Sequence, residues 1–234
     1  MTGAADDVRL AMIPPLLLRL VVAFVILAAN ACGGAGEPLS ELGRLSEQSG
    51  TLSPGRHIVN EFEPALSLKV DKGWEVSEGL EKQFFEIVHD PLGGNYFVAI
   101  SFNNPSEVNA PRSPHELMPV PKDWVSWFQE HPYLETSSPR PETVGGVEGK
   151  RFNTRASSPK DFYSADCEGV GVPLWPLLGG HHWCADAGYT TQTIVLNDVQ
   201  GERVIIDVTS DSRPFEKALT RANDVLNTVE WEDA

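Results

Sequence analysis

The chain has 234 residues, 41% of them hydrophobic, and a formal net charge of −15 from 18 Lys and Arg against 33 Asp and Glu. No Lys/Arg cluster interrupts the acidity, which excludes nucleic acid as a partner, since nothing would displace counterions from phosphates. The same charge is repelled by an anionic bilayer, so membrane attachment has to come from covalent lipid rather than a basic patch.

Residues 20–31 (LVVAFVILAANA) are an uncharged apolar run behind Arg19. As a helix at ~1.5 Å per residue this run reaches roughly 18 Å, short of the ~30 Å hydrocarbon core. Recruiting residues 16–18 would bury Arg19, at ~2.5–3.5 kcal/mol near the bilayer centre. A basic residue, a short apolar run and small residues at its exit predict a secretory signal peptide over 1–31. Met12 opens a more basic version of it, MIPPLLLR. The segment holds Asp6, Asp7, Arg9 and Arg19, which cancel, so the remaining chain keeps the whole negative charge.

At the end of this run, Leu27-Ala28-Ala29-Asn30-Ala31-Cys32 places small residues before a cysteine, with Gly33 and Gly34 after it. The stretch resembles the lipobox of bacterial lipoproteins, with Ala29 where Leu is usual and Asn30 where Ala or Ser is usual. The resemblance implies that Cys32 is acylated and becomes the mature N-terminus. The protein is then lipid-anchored at the cell membrane and faces outside the cytoplasm. Two or three acyl chains, at ~0.8 kcal/mol per buried methylene, hold firmly where one does not. The other reading is a bare cysteine beside an ordinary cleavage site.

Residues 33–60 are rich in Gly, Ser, Glu and Pro and poor in aromatic groups. They predict a flexible tether, 32–60 counted from the lipidated cysteine, with an r.m.s. span of roughly 30 Å as a coil. A single domain is expected over 61–234. Alternation predicts strands at 66–70 (LSLKV), 84–89 (FFEIVH) and 96–103 (YFVAISFN), the last two joined by the turn residues of 90–95. Trp124, Trp127 and Phe128 fall at i, i+3, i+4 between Pro121 and Pro132, which predicts a short helix with its aromatic stripe in the core. Residues 140–157 suggest strands folded about Val147-Glu148-Gly149.

The β-branched runs 191–197 (TQTIVLN) and 203–210 (RVIIDVTS) flank a loop ending Gln200-Gly201, the clearest hairpin of the sequence. A closing helix follows, with Asp211 or Ser212 as cap, Pro214 in its first turn and Phe215, Ala218, Leu219, Ala222, Val225, Leu226 and Val229 on one face. The expected class is α+β, an antiparallel sheet covered by helices. The order of parts (LSLKVDKGWEV, a hairpin, an aromatic helix, VGGVEGKRF, TIVLNDVQGERVIIDV, and a helix ending LNTVEW) resembles the PsbP-like fold. That fold is shared by accessory proteins of photosynthetic oxygen evolution and by small actinobacterial lipoproteins. The resemblance covers about 62–231 and implies a helix-covered sandwich, with binding rather than catalytic roles.

Once Cys32 is assigned to lipid, Cys167 and Cys184 remain as a pair in an oxidising compartment, which is the arithmetic of one disulfide. Closing a loop of about 17 residues contributes ~3 kcal/mol in the chain-entropy model. Free thiols, or a metal held by His181, His182 and Cys184, are the alternatives. The pair lies in an insert at about 158–190 whose aromatic groups and histidines, Trp175, His181, His182, Trp183 and Tyr189, form the candidate ligand or partner surface. The competing reading is a lid whose Trp and Leu residues are buried. No catalytic motif, metal-ligand spacing or cofactor fingerprint is found, so no catalytic residue, metal or cofactor is assigned. The sequence therefore predicts an exported, lipid-anchored, non-enzymatic protein that binds an envelope protein or a small apolar ligand. An envelope hydrolase with its site near the insert and a spacer without a ligand are the alternatives.

Overall fold

Apolar residues at every second position in FFEIVH, TIVLN and RVIIDV let those segments bury one face each, and ladder pairing joins them into a large antiparallel sheet. The computed structural model describes residues 39–41, 50–77, 81–90, 97–157, 163–164, 167, 169–210 and 215–232. All belong to a compact unit running from Pro38 to Ala234. The expected leader, 1–31, and Cys32 lie outside the described residues, as do the expected caps Asp211, Ser212 and Pro214.

In chain order the strands begin with β1 (Leu39–Glu41), β2 (Gly50–Thr51), β3 (Gly55–Val59), β4 (Leu66–Val70) and β5 (Trp74–Val76). Next come β6 (Phe84–His89), β7 (Val98–Asn103), β8 (Glu107–Ala110) and β9 (Ser113–Pro119). Helix α1 (Trp124–Glu130) leads to β10 (Leu134–Thr136), β11 (Arg140–Val144), β12 (Val147–Ala156), β13 (Tyr163–Ser164), β14 (Gly169–Pro176) and β15 (His182–Asp186). The chain continues through β16 (Thr190–Val199), β17 (Glu202–Ser210), helix α2 (Phe215–Leu226) and β18 (Glu230–Trp231). The central sheet has the order β10-β12-β16-β17-β7-β6-β5-β2, with β11 also on β12. A second sheet runs β1-β3-β4-β18, while β8-β9 and β13-β14-β15 form smaller ones.

Two tight turns fix the register of the middle strands. Gln200 and Gly201, at φ 59° and 92°, join β16 to β17, and Gly145 and Gly146, at 57° and 78°, join β11 to β12. Positive φ at both central positions matches the right-handed twist of the flanking strands. The second turn was expected at Val147-Glu148-Gly149. It falls on the glycine pair instead, where no Cβ opposes the left-handed backbone.

The central sheet is buried on both faces. One face carries Phe85, Ile87, Ile100, Phe102, Ile194 and Ile206, packed under α2 and the β3–β4 pair. The other carries Val195, Ile205 and Phe152, packed under α1 and the β14–β15 hairpin through Trp124, Phe128, Leu174 and Trp175. The Asp123 side chain caps α1 by accepting from the Ser126 N–H at 3.1 Å.

The expected α+β class, a sheet covered by helices, is corrected by this architecture, which is a β-rich fold. Among the described residues there are two α-helices, of 7 and 12 residues. At ~1.5 Å per residue they are roughly 10 and 18 Å long, whereas eight strands ~4.8 Å apart make a sheet about 34 Å across. Further strands complete the cover. The expected tether is also shorter than its composition suggested. Its last part folds as β2 and β3, with Leu52 and Val59 buried and Ile58 paired to Ser67 on β4.

Candidate functional site

The face under the insert has an unusual row. Cross-strand register aligns Phe152, Thr193, Asp207, Ser101 and Glu86 on β12, β16, β17, β7 and β6. Side chains opposite one another share a face, so the row puts two carboxylates and two hydroxyls on the middle of a sheet whose other side is apolar. Asp207 is 2% exposed. Its Oδ1 accepts from the Thr193 hydroxyl at 2.7 Å and its Oδ2 from the Trp183 indole N–H at 2.8 Å. Burial outweighs these two bonds and pushes the carboxyl up to about 6.

The insert is built to reach this row. Cys167 and Cys184 form a disulfide with Cα atoms 5.8 Å apart, which removes Cys184 as a thiolate and closes the metal alternative for the HHWC run. β15 pairs with β14, the register slipping between Pro173 and Trp175. Trp175 donates to Asn103 Oδ1 at 3.2 Å, Trp183 holds Asp207, and His182 Nδ1 lies 3.1 Å from Asn109 Oδ1. The hairpin is thus pinned to β7, β17 and β8 through polar groups and covalently to the segment before β14.

Between this hairpin and the outer part of the sheet lies a cleft of about 460 Å³. Its floor includes Glu86, Val88, Ala99 and Thr209; its walls include Trp183, Tyr189, Asp186 and the disulfide. The Phe84 ring packs on Trp183 with centroids 5.7 Å apart, and the Phe97 ring on Tyr189 at 6.4 Å. Asp186 is half-buried, and burial raises its carboxyl above the ordinary range. Two other depressions, of about 440 and 530 Å³, lie elsewhere. In the first, Glu63 and Lys82 are paired at 2.7 Å and Asn104 donates to Glu202.

The five predicted surface residues divide. His181, His182, Trp183 and Tyr189 come together at the cleft. Trp175 does not join them, since it is 1% exposed and packs edge-on against Trp124 at 5.9 Å, within the core. The hairpin is therefore a lid along its Trp175 side and a wall along its Trp183 side. Leu178, at the tip, is 70% exposed. Sequence reasoning missed Asp207, Asp186, Glu86, Phe84 and Phe97. Asp207 alone had a local signal, as the one charged residue inside the apolar run of β17.

No protein-family model matches the chain, and no curated protein matches it. Among solved structures it is similar to a protein from Bacteroides thetaiotaomicron VPI-5482, with 12% identity over 72% of this chain and a TM-score of 0.33. The match spans 45% of that longer protein, and a likeness of this degree carries no argument about function.

Proposed function

We propose that the protein is an exported, lipid-anchored binding protein whose ligand occupies the cleft beside the stapled hairpin. The observation that carries this reading is the cleft itself. Its volume falls in the ~300–1,000 Å³ range of small-molecule sites, and its walls combine aromatic rings with a few convergent polar groups. The disulfide and three polar attachments hold the wall in place before any ligand arrives, which lowers the ordering cost of binding. Asp207, the most perturbed carboxyl nearby, is buried with both oxygens engaged, so it anchors the lid and does not exchange protons with a substrate. That supports binding over hydrolysis.

Cys32 as the acylated residue rests on the lipobox-like run and on the short apolar segment before it. Strand β1 pairs with β3 from Leu39 onward, so seven residue steps separate Cys32 from the first described strand. At ~3.3–3.6 Å per residue those steps span roughly 25 Å at most.

The test is a titration of residues 32–234 carrying Cys32→Ser, which have neither the apolar leader nor acyl chains and need no detergent, with the neutral fluorescent probe N-phenyl-1-naphthylamine. Saturable binding that Ala99→Phe abolishes at an unchanged melting temperature supports the cleft as the site. Binding untouched by that substitution, or none at all, refutes it. For the anchor, the mass of the mature N-terminus decides: an unmodified Cys32 removes the lipoprotein reading.

A further inference from the structure

We infer that the cleft takes an organic cation, an ammonium or guanidinium group carried on a small apolar body. This deepens the binding reading above and rests on it.

Three features of the cleft point the same way. Its described lining includes the carboxylates of Glu86 and Asp186 and has no Lys or Arg among the described residues. It also presents the rings of Trp183 and Tyr189, backed by Phe84 and Phe97. Aromatic faces attract a cation through their quadrupole, most strongly for Trp and where water is excluded. Finally, the carboxylate of Asp186 is half-buried and receives no hydrogen bond or ion pair among the described residues, while burial disfavours its charge. An ionised carboxylate taken out of water without a donor costs free energy that an incoming cation restores.

Asp207 shows by contrast what a satisfied carboxylate looks like on the same face. Its two oxygens accept from Thr193 and Trp183, and the group is buried beneath the hairpin, out of reach of a ligand in the cleft. Asp186 stands on β15, two residues from Cys184, and its Oδ1 lies against the backbone of Gly171 where a Cβ would come within 2.8 Å. The absence of a side chain at 171 lets the carboxylate lie there. The remainder of the chain adds to the attraction, since a net charge of −15 concentrates cations near the surface.

An ammonium ligand would place its charge against the Asp186 carboxylate within the ring-lined cleft, with its apolar body over Val88 and Ala99. A neutral molecule of the same shape would fill the same floor and leave the charge of Asp186 uncompensated.

The experiment compares choline and agmatine with 3,3-dimethylbutan-1-ol, in which carbon replaces the choline nitrogen. Binding to residues 32–234 carrying Cys32→Ser is measured by titration calorimetry at about pH 8. The expected result is that at least one cation binds ten-fold or more tighter than the neutral isostere, and that salt weakens it. Asp186→Asn should remove most of that preference, with Glu86→Gln as a second variant should the first fail to fold. Equal or tighter binding of the neutral isostere overturns the inference, and so does an unchanged preference in both variants. Retention of N-phenyl-1-naphthylamine without preference for either cation overturns the cation alone and leaves the binding reading standing. Loss of every ligand, that probe included, overturns both.

Discussion

Replacing Asp207 by Asn removes a charge from the sheet and leaves its shape. The oxygen of Asn still accepts from Trp183, and its amide can donate to Thr193, whose hydroxyl turns toward Thr154 Oγ1 at 3.4 Å. In the folded chain Asp207 keeps its proton up to about 6, against an ordinary 3.8. Between those values the folded state binds more protons than the unfolded one, so Asp207 makes stability fall as pH rises from about 4 to 6 and leaves it flat above. Two units correspond to roughly 3 kcal/mol lost across the window.

His131 hides this loss in the wild type. It is packed on Trp127 at 5.2 Å, and burial lowers it from 6.5 to about 4. There the unfolded state binds more protons, so stability rises with pH over nearly the same window. The two slopes oppose, and the raw profile hides both. The difference between wild type and Asp207→Asn isolates one, because Asp186, Glu81, His89 and Asp123 contribute alike to both proteins. Urea unfolding at several pH values should show the variant gaining about 3 kcal/mol on the wild type between pH 4 and 7. A difference independent of pH would refute the burial argument; one that shrinks as pH rises would mean that the charge is stabilised in place.

Other substitutions probe the same construction. Cys184→Ser should cost about 3 kcal/mol in urea unfolding under oxidising conditions and nothing further under reducing ones. Trp183→Phe keeps the packing on Phe84 but leaves Asp207 Oδ2 without its donor, a loss of about 1–3 kcal/mol that shrinks at pH 5, where Asp207 is protonated. Gly149→Ala should lower the melting temperature markedly, because its Cβ would overlap the Val195 carbonyl oxygen and come within 2.6 Å of Leu196 Cδ2. An unchanged melting temperature would contradict the β12–β16 register.

Local pattern carried most of the strands. The period-two runs 66–70 and 84–89 appear with those bounds as β4 and β6. The Gln200-Gly201 turn and the pairing of Cys167 with Cys184 were equally legible. The cover of the sheet was not, because EVNAPRSPHELMP has no strict alternation and folds as β8 and β9 only by pairing with itself. The cleft was half legible for a similar reason. The aromatic groups of the insert are close in sequence, but the row from Thr193 through Asp207 and Ser101 to Glu86 exists only once four strands are in register. Trp175 and Trp183 look alike in sequence and are cross-strand partners, yet one packs on Trp124 in the core and the other reaches Asp207 and lines the cleft.

A crystal structure of the protein soaked with N-phenyl-1-naphthylamine tests the central claim most directly. Density for the probe between Trp183, Tyr189 and the Val88–Ala99 floor is the predicted result. An empty cleft with the probe bound at another surface would contradict it.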